Sequence, residues 1–169
     1  MKTPITIIGI IGFFISLYVM YRTKHGIPGI QKYDSSFKLL DMQFRYNAST
    51  VYTTFENIGE YGRKAYSNYL LLDFCFITCF LIVQLAITKA VVSKPSFQSL
   101  LLLLVALRAA FDVAENSILL YIINRYPTKY VALAEFCSWV TTAKFVMLYL
   151  WISGIIIILF TILVRNVVK

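Results

Sequence analysis

Between Ser96 and Ile123 the chain is long and apolar enough to cross a bilayer, yet this stretch holds Arg108, Asp112, Glu115 and Asn116. Ionisable side chains at such depth cost roughly 2.5–3.5 kcal/mol each on insertion scales, so they are kept where they pair with one another or line a polar cavity. Steps of four and seven residues turn an ideal helix by roughly 400° and 700°, which puts Arg108, Asp112 and Glu115 within about 60° of one another. Asn116 borders the same face. One wall of a buried polar site is therefore written into a segment whose other faces suit lipid.

The rest of the chain suits the same solvent. Hydrophobic residues make up 59% of the 169 and charged residues 14%, against about 45–50% and about 25% in soluble domains. The excess falls in four blocks, expected to be transmembrane helices over about residues 5–22, 69–89, 96–124 and 131–164. Alternation with period two is absent over strand-length windows, which argues against a β-barrel. The expected fold is all-α: a single membrane domain over residues 1–169, with a short amphipathic interfacial helix before the second span. The first block is too long, and lacks the small-residue cleavage site, for a secretory signal peptide.

The long connection, residues 23–66, is neither simple linker nor span. Gly26, Pro28 and Gly29 are expected to break the chain early in it. Tyr33, Phe37, Leu39, Leu40, Met42, Phe44 and Tyr46 then alternate with Lys32, Lys38 and Arg45. That mixture is too apolar for disorder. It either lies along the headgroups or folds back over the helices as a cap. Ser49 is the expected N-cap of the amphipathic helix, whose apolar face is Val51, Tyr52, Phe55 and Ile58. A bend is expected near Gly59, with a new helix from about Glu60 leading into the second span. Asn47-Ala48-Ser49 matches a glycosylation sequon.

The net charge of +8 raises nucleic acid as a partner. Most Lys and Arg residues sit at or beyond the ends of apolar blocks, however, where they act as membrane anchors and topology signals. Nucleic acid is therefore not expected; the lipid bilayer is, with a homo-oligomer or a larger membrane complex open. Lys2, Lys89, Lys94, Arg165 and Lys169 fall on the side shared by both termini, against nine basic residues on the side of the long loop. The long loop is thus expected in the cytoplasm and both termini on the opposite side.

Polar residues in the other spans extend the opening observation. Asp73 lies about one turn inside the second span, and Gln84, three turns on, shares its face. Glu135 lies near the start of the fourth span and Lys144 near the depth of Arg108. The candidate ligand-binding residues are Asp73, Arg108, Asp112, Glu115, Asn116, Glu135 and Lys144. The four acids among them outnumber the two bases. The expected function is a multi-pass membrane protein whose buried charged site binds a small ligand, lipid headgroup or cation, with proton-linked transport as an extension. The alternatives are a non-catalytic subunit or assembly factor of a membrane complex and, third, a small membrane enzyme acting on a lipid-like substrate. Catalysis is less favoured. The single histidine, His25, lies in a loop, so no span holds a serine–histidine or cysteine–histidine pair. Cys75, Cys79 and Cys137 fall within apolar blocks without a metal-binding pattern and read as packing residues; no cofactor or metal is expected.

The run Arg108-Ala109-x-x-Asp112-x-x-Glu115-Asn116 resembles the Arg-Ala-x-x-Asn-x-x-Glu-Asn run of the MAPEG family, small four-span glutathione-dependent membrane enzymes, typically trimeric. The likeness covers nine positions. Asp112 stands where the family has Asn, and the run lies within the third span instead of opening the second. With those departures, no family residue role is carried over.

Overall fold

The computed structural model describes residues 4–167, and Lys2 and Lys169 of the charge balance lie outside them. The described residues are helical, without strands. Four helices are long and apolar enough to cross a membrane: α1 (Pro4–Arg22), α4 (Gly59–Val91), α5 (Pro95–Asn124) and α6 (Val131–Val167). The boundaries of α1, α5 and α6 follow the apolar blocks closely, and α4 begins at Gly59, well ahead of its block. Pro95 opens α5 from its first turn, where its missing N–H costs nothing. α4 and α6, at 33 and 37 residues, exceed the ~20 that one crossing needs.

α1 packs on α4, α4 on α5, and α5 on α6, with only limited contact between α4 and α6 and no extensive contact between α1 and α6. Small residues set the closest approach. A Cβ built on Gly9 would lie 2.4 Å from the Ile82 side chain, and one on Gly12 would lie 2.5 Å from Cys79 Sγ. Lipid gives helices no hydrophobic reason to associate, so such close backbone packing supplies much of their attraction. Cys75, Cys79 and Cys137 are free thiols.

The loop is more structured than its glycines and proline suggest. Gly26, Pro28 and Gly29 do not simply break it: Ile27–Ile30 forms the single-turn helix α2, with Pro28 in its N-terminal turn, where proline is tolerated. Leu40–Met42 forms a 3-10 turn. The amphipathic helix is α3 (Ala48–Asn57), and its cap is Asn47 in place of Ser49. Asn47 Oδ1 accepts from Thr50 N at 2.8 Å, and Ser49 donates its hydroxyl to the same oxygen at 2.7 Å. Gly59 carries the bend into α4 with φ of +63°, a left-handed conformation that a side chain would disfavour.

Of the two expected courses for the loop, the chain takes the cap. Phe37, Leu40, Tyr46, Val51 and Phe55 are buried, in one cluster with Tyr66, Leu119, Ile122 and Cys137 of the long helices. A second apolar cluster, around Leu101, Val105, Trp151 and Ile155, fills the other end of the bundle. Along α5 and α6 the charged residues lie between the two.

Candidate functional site

Helical spacing and burial assemble the polar layer from all three later helices and the loop. On α5, Arg108 Nη1 lies 2.8 Å from Asp112 Oδ2, an i, i+4 ion pair. From α6, Lys144 Nζ reaches Asp112 Oδ1 at 3.1 Å and Glu115 Oε2 at 2.5 Å. It also donates to the backbone carbonyl of Asp41 at 2.9 Å. Its ammonium thus serves two carboxylates by charge and the loop by a hydrogen bond. Thr141 donates its hydroxyl to the other Glu115 oxygen, Oε1. From α4, Asp73 Oδ2 accepts from Asn116 Nδ2 at 2.7 Å. All of these ionisable groups are buried; Lys144, the most exposed of them, stands at 6%.

Six of the seven sequence candidates thus meet: Asp73, Arg108, Asp112, Glu115, Asn116 and Lys144. Glu135 does not join them. It lies nine residues before Lys144, and nine residues turn a helix by roughly 900°, so the two point to opposite sides of α6. Glu135 Oε1 instead accepts from Ala48 N at 2.6 Å, satisfying a free amide at the start of α3. The stripe continues along α6: Ser138 Oγ accepts from Tyr46 N at 3.0 Å, and Thr142 Oγ1 donates to Phe44 O at 2.6 Å. Alternate residues of segment 44–48 are thereby fastened to successive turns of α6.

Asp41 takes the place expected of Glu135, so four acids still face two bases. It is 3% exposed, and its Oδ1 accepts from the Tyr66 hydroxyl at 3.5 Å. Burial holds its carboxyl above the usual carboxylate range, an effect larger than the opposing pull of Lys144. The signal was present in the sequence. Leu39-Leu40-Asp41-Met42 sets one acid in an aliphatic run, the same pattern that marks the third span.

The layer opens onto a cavity of about 240 Å³. Asp41, Asp73, Arg108, Asp112 and Lys144 form its polar wall. Leu17 and Met20 of α1, Phe76 and Phe80 of α4, and Phe145 and Leu148 of α6 form much of the rest. It lies between the two ends of the helix row, where α1 and α6 both line it without packing closely on each other.

Two features of the polar wall are incomplete. Among the described residues, neither the Asp41 nor the Asp73 carboxylate has a basic side chain within ion-pair distance; the three buried ion pairs involve Asp112 and Glu115. Arg108 places its guanidinium 4.5 Å from the Phe80 ring centroid, and its Nε and Nη2 have no hydrogen-bond partner. Gln84, which shares the Asp73 face of α4, is fully buried with both side-chain polar atoms unpartnered, and it does not line the cavity. No three His, Cys, Asp or Glu side chains among the described residues come together as metal ligands would. His25 is exposed in the loop after α1.

In comparisons with known proteins, no family model matches the chain, and neither a curated protein nor a solved structure is significantly similar to it.

Proposed function

We propose that this chain is a multi-pass membrane protein that binds a small amphipathic molecule in the cavity between α1 and α6. The polar end of the ligand meets Asp41, Asp73 and Arg108; its apolar end lies against the Phe and Leu side chains opposite. One observation carries the reading: a single cavity joins a largely apolar lining to buried charged groups whose pairing is incomplete. Apolar pockets with a few convergent polar groups are the usual form of a small-molecule site. The gap between α1 and α6 suits a ligand that arrives from the acyl region. The long loop lies over the cytoplasmic end of the bundle, in keeping with its basic charge.

A purely architectural network is the competing reading, and the ion pairing of Lys144 within the chain favours it for Asp112 and Glu115. It leaves Asp41, Asp73 and the free Arg108 donors without a purpose. The same internal pairing weakens the case for a subunit whose charges await another protein.

The test is thermal melting of purified protein in neutral maltoside micelles with amphiphiles carrying cationic, anionic, neutral and zwitterionic heads. At least one class should stabilise the protein saturably. Leu148→Trp, which fills the cavity from α6, should abolish the effect. Stabilisation by none, or stabilisation that Leu148→Trp leaves intact, would sink the reading.

A further inference from the structure

The charge accounting of the polar wall narrows the ligand. Lys144 is ion-paired with Asp112 and Glu115 and donates to the Asp41 carbonyl. Arg108 has committed Nη1 to Asp112. The anionic needs of Asp112 and Glu115 are therefore met within the chain. Asp41 and Asp73 are buried, line the same cavity, and have no basic side chain within ion-pair distance among the described residues. A buried carboxylate without a counter-charge is strongly disfavoured. The missing positive charge must come from outside the protein, as a proton or as a bound cation.

A second, independent observation points to a ligand at the same place. Arg108, whose side chain is 3% exposed, lines the cavity with Nε and Nη2 lacking an acceptor. Buried donors are nearly always satisfied, so an occupant carrying an oxygen acceptor would complete them. An anionic head could meet those donors, but it would sit beside two uncompensated carboxylates. A hard metal cation wants six or more oxygen ligands, and Asp112 among the three lining acids is already ion-paired. Tyr21, Tyr69 and Phe76 line the cavity as well, and ring faces favour organic cations.

We infer that the cavity takes an amphipathic amine, its protonated nitrogen held by Asp73 with Asp41 alongside, and an acceptor oxygen of the same molecule turned to Arg108. The inference rests on the cavity being a binding site, and it specifies the head group.

Four probes with one apolar body separate the possibilities: 4-phenylbutylamine, 4-phenylbutanol, 4-phenylbutanoate and 2-amino-4-phenylbutan-1-ol. Binding of each to the full chain in neutral maltoside micelles is measured by equilibrium dialysis at neutral pH. The two amines should bind saturably and at least tenfold more tightly than the alcohol or the acid, with the amino alcohol tightest. Asp73→Asn keeps an acceptor for Asn116 and should weaken amine binding at least tenfold while leaving the alcohol unchanged. Asp41→Asn provides the same comparison if the first variant does not fold. Equal or tighter binding of the alcohol or the acid overturns the amine and leaves the cavity reading standing. Amine binding that neither Asp→Asn change weakens also overturns it. If no probe binds, the amine is overturned, and the wider head-group panel with Leu148→Trp then decides whether the cavity binds anything.

Discussion

Lys144 Nζ donates to the backbone carbonyl of Asp41 at 2.9 Å, joining residues 103 positions apart and tying the loop to the middle of α6. The same ammonium holds Asp112 and Glu115. One side chain therefore couples the cap, the third long helix and the fourth. Lys144→Met should destabilise the protein by about 3–5 kcal/mol, because buried Glu115 loses its counter-charge and Asp112 loses one of its two. Adding Asp112→Asn and Glu115→Gln to it should restore a large part of that loss. Both are read from chemical or thermal unfolding in detergent. A triple variant no more stable than Lys144→Met would show that the charges are not the reason.

Glu135 should behave unlike the cluster it was expected to join. Glu135→Ala leaves the Ala48 amide without an acceptor, at a cost of about 1–3 kcal/mol. The damage should stay local, seen as faster hydrogen exchange over residues 44–57, with ligand binding in the cavity unchanged. Glu135→Gln keeps an acceptor and should recover most of the protection. Lost ligand binding in Glu135→Gln would return this residue to the site.

The burial of Asp41 gives a pH prediction with a definite sign. Its carboxyl titrates higher in the folded chain than in the unfolded one. Between the two values the folded state binds more protons, so stability falls as pH rises through that window, upward from about 4. Asp41→Asn should remove this part of the dependence. The melting temperature of the wild type should drop more steeply than that of the variant as pH rises from about 4 towards neutrality. Parallel curves would contradict it.

The α1–α4 contact tolerates no added bulk. Gly9→Leu would drive a side chain into Ile82 and should separate the two helices, with a loss of about 1–3 kcal/mol typical of overpacking. Ile82→Ala in the same chain should recover part of it, measured as unfolding in detergent. Since α1 forms one wall of the cavity, ligand binding should fall and return with stability.

Much of this architecture could be read from the residues. α1 begins one residue before the expected block and α5 ends where Asn124-Arg125-Tyr126-Pro127 said it would. Apolar length and the punctuation around it are local properties, visible in any window of the sequence. The convergence of Arg108, Asp112 and Glu115 was equally local, one helix read by its own period. The failures came where two elements had to be placed against each other. Depth along α6 points Glu135 to the cluster, but its half-turn offset from Lys144 puts it on the loop side. Asp41 was passed over because its burial depends on the loop folding back onto α4 and α6. Asn47 holds the cap in place of Ser49 because it stands three residues before Thr50, whose N–H its Oδ1 accepts, and Ser49 lies within the first turn. A cavity has no sequence signature, since it is a space left between α1 and α6.

The row of helices also sets an order in time. Arg108, Asp112 and Glu115 are synthesised with α5, before the ammonium that balances two of them exists. Ala48 waits 87 residues for Glu135. When α6 arrives it closes the ion pairs, fastens segment 44–48 and raises the last wall of the cavity together. A chain halted after α5 would leave Glu115 without its ammonium and the aromatic loop without its seat on α6. Docking of α6 is thus the step that completes the ion pairs, the cap and the cavity wall together.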